Sequence, residues 1–144
     1  MGAIYGLSSR HFPAPEGPAG LWLVVANLAH APLFGILSVG FAAWFLALPG
    51  PEGWPRIGPR KAFAILFSTL LYAAFDEGHQ AFVPGRFPSV FDFLTDAAGA
   101  FSAFGIVVYL GRERATERGL RLRLLAGGLL CLASAVLSSF VGGK

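Results

Sequence analysis

Three runs of this chain each hold more than about 18 mainly apolar residues, close to the length a helix needs to cross a bilayer. They lie at about 19–48, 92–111 and 119–141. A fourth stretch, about 62–83, reaches that length only by including Asp76-Glu77-Gly78-His79-Gln80. Only 13% of the residues are charged, where a soluble domain carries roughly 25%. Mean hydropathy is +0.63. The expected fold is all-α: a polytopic membrane protein built as a bundle of four transmembrane helices. A soluble bundle with unusually apolar helices is the weaker reading.

At 144 residues the chain allows one compact bundle and no second domain. Residues 1–18 read as a loose or interfacial N-terminal segment ahead of a domain at 19–141. They lack the basic region, apolar core and cleavage site of a signal peptide. The start also lacks the Ser or Thr that a myristoylation signal prefers. Cys131 is the single cysteine, which excludes an intrachain disulfide and reads as a small buried residue. Residues 49–61 form a loop dense in Pro and Gly, with Trp54 suited to a membrane–water interface. Pro32 falls inside the first helix and can kink it.

Basic residues set the expected orientation. Of eleven Lys and Arg, eight fall in the loops 49–61 and 112–123: Arg56, Arg60, Lys61, Arg112, Arg114, Arg118, Arg121 and Arg123. Only Arg10, Arg86 and Lys144 remain for the other side. Lys and Arg concentrate on the cytoplasmic side. Both termini and the loop 84–91 are therefore expected outside the cytoplasm. The basic residues report topology and not nucleic-acid binding.

The segment from Asp76 to Asp96 holds four of the eight carboxylates, one of the three histidines and Arg86. Residues three and four apart share a helix face. Tyr72, Asp76, His79 and Gln80 therefore point one way on helix two, with Glu77 at the border of that face. On helix three, Asp92, Asp96, Gly99 and Ala103 form a second stripe. A short loop makes the two helices neighbours, so the stripes can face each other with Arg86 closing the outer end. At 1.5 Å rise per residue, Asp76 lies roughly 10 Å below the outer end of helix two and Asp96 roughly 6 Å below the start of helix three. His30 lies on the order of 14 Å down helix one, with Asn27 one turn higher on the same face. A polar cavity open to the outside, lined by helices one to three, is the expectation.

A charged carboxylate at a helix centre costs about 2.5–3.5 kcal/mol on insertion scales, and less nearer the interface. Asp76, Glu77, Asp92 and Asp96 against Arg86 leave a surplus of negative charge. Either some carboxylates are protonated, as close like charges require, or a cation or cationic ligand enters. The bland alternative is that Arg86 pairs with Asp92 or Asp96 while the others cap helix ends. Capping does not explain Asp76, Glu77, His79 and Gln80 ahead of the end of a span. Gly99 and Ala103, and Gly127, Cys131 and Ala135, repeat every four residues. Small residues at that spacing let helices approach closely, and packing within the bundle is preferred over a dimer face.

The order Asp76-Glu77, Gln80, Arg86, Asp92, Asp96 and Gly99, preceded by His30 on an earlier span, resembles the VanZ-like family of bacterial membrane proteins. The likeness covers about residues 27–105. It implies functional positions at His30, Asp76, Glu77, Gln80, Arg86, Asp92 and Gly99. Its namesake is associated with resistance to teicoplanin. Asn27 stands where a Lys is common in the family, and Asp96 where an Asn is common. Both changes make the cavity more negative.

Three functions follow. The first is an envelope or resistance role in the bacterial cytoplasmic membrane. There the cavity, with Asn27, His30, Tyr72, Asp76, Glu77, His79, Gln80, Arg86, Asp92 and Asp96, would bind a lipid-linked envelope precursor or a lipophilic glycopeptide. The second is an enzyme acting on a lipid-linked substrate, with either a divalent metal on donors drawn from Asp76, Glu77, His79, Asp92 and Asp96 or Glu77 and His79 as an acid/base pair. Neither a His-Glu-x-x-His nor a Gly-x-Ser-x-Gly motif is present. The third, proton or ion coupling, finds little beyond Ser68, Thr69 and Tyr109 as a path through the inner half.

Overall fold

The computed structural model describes residue 6 and residues 19–46, 57–84 and 89–142. They form four helices: α1 (Ala19–Leu46), α2 (Pro59–Gln80), α3 (Val90–Leu110) and α4 (Glu117–Leu137). A five-residue π-helical turn, Ser138–Gly142, continues α4.

Local chemistry sets the helix starts. Pro59 opens α2 behind Gly58, at the position where a missing N–H costs nothing. Ser89 caps α3 and accepts from the Phe91 N–H at 3.2 Å. Thr116 caps α4 and accepts from the Gly119 N–H at 3.1 Å. The caps place α3 and α4 two residues ahead of the starts expected from the apolar pattern alone. α1 runs unbroken through Pro32.

Packing gives the helix directions. Along α1 and α3, His30 meets Asp96, Ala31 meets Gly99 and Gly35 meets Ala103. Both numbers rise together, so α1 and α3 run the same way. α2 runs against them: Ile65 packs with Ala42 and Phe104, Ala73 packs with Phe34, and Asp76 approaches His30. α4 runs against α3, because Thr116 meets Tyr109, Gly127 meets Ser102 and Ser138 meets Asp92. α3 is the central helix and packs on each of the other three, most extensively on α1.

Close approach explains the small residues. A Cβ added at Gly99 would lie 2.0 Å from the Ala31 carbonyl oxygen, so the α1 and α3 backbones touch there. Gly127 does the same for α4, where an added Cβ would sit 2.9 Å from the Ser102 Cβ. Buried hydroxyls bond along their own helices: Ser38 donates to the Gly35 carbonyl at 2.8 Å and Thr69 to the Ile65 carbonyl at 2.8 Å. At the α3–α4 turn the Tyr109 hydroxyl accepts from the Thr116 N–H at 2.8 Å. The Arg123 guanidinium stacks over the same ring, 3.7 Å from its centre.

The surface is apolar. Phe63, Phe67, Leu71 and Phe75 form an exposed stripe along α2, and Leu122, Leu125, Leu129 and Leu130 are exposed on α4. Such faces suit lipid and not water. Among the described residues, three helices are long and apolar enough to cross a membrane: Leu21–Phe45, Val90–Leu110 and Glu117–Val141. The protein is thus a multi-pass membrane protein of all-α class. α2 is not among the three, because Arg60, Lys61, Asp76, Glu77, His79 and Gln80 dilute its hydropathy.

The two ends differ in chemistry. Arg60, Lys61, Arg112, Arg114, Arg118 and Arg121 gather where α2 begins and α3 turns into α4. Asn27, His30, Asp76, Asp92, Asp96 and Ser138 gather at the opposite end.

Candidate functional site

The acidic end divides into three parts. At its centre, His30 of α1, Asp76 of α2 and Asp96 of α3 each bring one ligand-type atom to within 4.8 Å of the others. His30 Nδ1 lies 3.3 Å from Asp96 Oδ1. Asp96 is fully buried and Asp76 is 5% exposed. Gln80 is also buried, and its amide donates to Asp76 Oδ2 at 3.0 Å. That bond joins residues four apart on one helix face. Neither oxygen of Asp96 accepts a hydrogen bond among the described residues.

Glu77 forms the second part. Its Oε2 accepts from the Ser89 N–H at 3.1 Å, which ties the end of α2 to the start of α3. Its Oε1 lies 3.4 Å from the Gln80 amide, so Gln80 links Glu77 to the centre. Beside it opens a groove of about 500 Å³ lined by Ala74, Glu77, Gly78, Ala81, Val90 and Phe93, with Ser89 at its edge.

Asp92 belongs to the third part. Its Oδ1 accepts from the Ser138 hydroxyl. The Asn27 amide donates to Ser138 Oγ at 3.0 Å and to Ser139 Oγ at 3.1 Å. The π-helical turn presents these two serines, and Ser139 also donates to the Ala135 carbonyl at 2.7 Å. Asn27, Asp92 and Ser138 thereby join α1, α3 and the end of α4 in one polar layer.

The residues singled out in the sequence are thus distributed rather than pooled. The central cluster takes its nitrogen from His30, which the sequence placed in the cavity wall and not among metal donors. Of the five donors proposed from sequence, Asp76 and Asp96 are in the converging group, and Glu77, His79 and Asp92 are outside it. Glu77 and Asp92 hold other partners, and His79 is half-buried on α2. Tyr72 stacks at an angle on Phe34, with ring centres 6.3 Å apart. Gly99 and Ala103 act as packing surface for α1. Arg86 lies outside the described residues.

Sequence reasoning missed Ser138 and Ser139. The available signal was a Ser-Ser pair near the end of the last apolar run, at the level of Asp92 when α4 is laid against α3. A second groove, about 1140 Å³, runs between α1, α3 and α4 and is lined by residues such as Pro32, Ile36, Ala103, Ile106 and Leu132. Its walls are almost wholly apolar, with Arg123 as its one charged lining residue.

The family model for VanZ/LLP1 matches residues 3–111. The chain belongs to the VanZ/LLP1 family. The VanZ/LLP1 match takes in α1, α2 and α3, and with them all of His30, Asp76, Glu77, Gln80, Asp92 and Asp96. It stops before α4, so the Ser138–Ser139 layer is built by a segment beyond the matched residues. No curated protein and no solved structure matches the chain.

Proposed function

We propose that this VanZ-family protein spans the bacterial cytoplasmic membrane four times and binds an amphiphilic component of the cell envelope, or a lipophilic glycopeptide of the teicoplanin type, at its acidic end. The observation that carries this reading is the groove beside Glu77. It pairs an anchored carboxylate with walls of Ala74, Ala81, Val90 and Phe93. A ligand with an amine and an acyl chain satisfies both features.

The four-span reading rests on helix directions. α1 and α3 run the same way, so the end of α1 and the start of α3 lie at opposite ends of the bundle. If α1 and α3 cross the bilayer, α2 must return across it. Its stripe of Phe63, Phe67, Leu71 and Phe75 then faces lipid, while Asp76 and Gln80 face inward. The basic end, with Arg60, Lys61, Arg112, Arg114, Arg118 and Arg121, goes to the cytoplasm. Both termini and the 84–91 loop then lie outside, and the groove opens toward the envelope.

Expression in a glycopeptide-susceptible bacterium tests the reading. The protein is expected to raise the inhibitory concentration of teicoplanin, and to do less against a glycopeptide without an acyl chain. Glu77→Gln keeps the shape and the acceptor for Ser89. It removes the charge, whose hydrogen bonds are worth about 1.5–3 kcal/mol, and should abolish most of the protection. Equal susceptibility with and without the protein contradicts the resistance role.

A further inference from the structure

We propose that His30, Asp76 and Asp96 form a site for one divalent transition-metal ion, of the Zn²⁺ or Mn²⁺ kind. The inference does not rest on the binding of an amphiphile at the Glu77 groove. It concerns the separate cluster of His30, Asp76 and Asp96.

Geometry is the first argument. Three helices each contribute one donor atom, and all three atoms lie within 4.8 Å of one another. His30 Nδ1 and Asp96 Oδ1 are 3.3 Å apart. Bonds of about 2.1 Å in a tetrahedral site put neighbouring ligand atoms roughly 3.4 Å apart. The observed pair already has that spacing. It also lacks the alignment of a hydrogen bond, since Asp96 accepts none at either oxygen. Donor atoms at this spacing can share one ion.

Burial is the second argument. Asp96 has no exposed surface, and neither of its oxygens meets hydrogen-bond geometry although the His30 ring nitrogen stands 3.3 Å from Oδ1. Buried polar groups are almost always satisfied, and a buried charge needs a partner or a metal. Two carboxylates with a neutral imidazole carry two negative charges, which one divalent ion balances.

Donor chemistry narrows the ion. Mg²⁺ and Ca²⁺ take oxygen ligands, whereas an imidazole beside carboxylates suits Zn²⁺ or Mn²⁺. Gln80 supplies the outer support that metal-ligating carboxylates need, holding Asp76 Oδ2 at 3.0 Å. Three protein donors leave further coordination positions for water or another ligand.

The full chain, purified in detergent with its affinity tag removed and stripped by chelator, should be titrated with Zn²⁺, Mn²⁺ and Mg²⁺ by calorimetry. Bound metal should be counted by mass spectrometry, and unfolding temperature followed with and without metal. One Zn²⁺ or Mn²⁺ per chain is expected, with a raised unfolding temperature and weaker binding of Mg²⁺. Asp96→Asn should weaken binding by about a hundredfold or more and remove the thermal shift, while Asp92→Asn should leave both unchanged. The unfolding transition of metal-free Asp96→Asn reports whether that variant is folded. The wild-type stoichiometry decides independently of any variant. A wild-type chain that binds neither Zn²⁺ nor Mn²⁺, or a folded Asp96→Asn that binds as well as wild type, overturns the proposal. Mg²⁺ binding as tight as Zn²⁺ overturns the assignment of His30 as a ligand.

Discussion

His30 Nδ1 and Asp96 Oδ1 lie 3.3 Å apart across the α1–α3 contact, on side chains 17% and 0% exposed. The pair sits about 9 Å along α3 from Val90 at 1.5 Å rise per residue. One helical turn below it, the Ala31 and Gly99 backbones touch. The two contacts fix one register, because Ala31 follows His30 directly and Gly99 follows Asp96 by three residues. Close packing at the glycine therefore sets how near the imidazole and the carboxylate come.

That dependence is measurable. Gly99→Ala forces α1 and α3 apart, because its Cβ would sit 2.0 Å from the Ala31 carbonyl oxygen. Overpacking of this kind costs about 1–3 kcal/mol. The unfolding temperature in detergent should fall. Gly105→Ala on the same helix meets nothing within 4 Å and should leave that temperature unchanged or raise it. Equal effects of the two substitutions would contradict the backbone contact.

Asp92 and Ser138 should be energetically coupled. Ser138 donates to Asp92, and Asn27 donates to Ser138 at 3.0 Å. A double-mutant cycle of Asp92→Ala and Ser138→Ala isolates the pair from the favourable place of Asp92 in the first turn of α3. An interaction energy of about 0.5–3 kcal/mol is expected from unfolding in detergent. Strict additivity would place the two side chains out of contact.

Some of this was readable from residue types alone. The apolar runs of α1, α3 and α4 mark helices of membrane-spanning length, since nothing else in a chain this short buries so many consecutive apolar residues. The four-residue spacing of Asp76 and Gln80 is realised as a 3.0 Å hydrogen bond. Periodicity did not show which neighbour each face meets. Asp92 and Asp96 share a stripe on α3, yet Asp92 turns to Ser138, 46 positions away, and Asp96 turns to His30. The π-helical turn that aims Ser138 and Ser139 is a shift in backbone hydrogen bonding, which composition does not encode. The helix starts at Pro59 and Val90 came from a proline and a serine cap, which lie outside the apolar pattern. The family likeness was carried by His30, Asp76-Glu77, Gln80, Arg86, Asp92, Asp96 and Gly99, all inside the matched region 3–111.

Side-specific labelling of single cysteines tests whether the acidic and basic ends of the bundle lie on opposite sides of the bilayer and which end faces out. With Cys131→Ser as background, one variant carries Phe82→Cys at the acidic end, where Phe82 is 86% exposed. A second carries Arg118→Cys at the basic end. A membrane-impermeant thiol reagent applied to intact cells should label position 82 and spare position 118 until the membrane is opened. Labelling of both positions from the same side would contradict a four-span bundle with its acidic end outward.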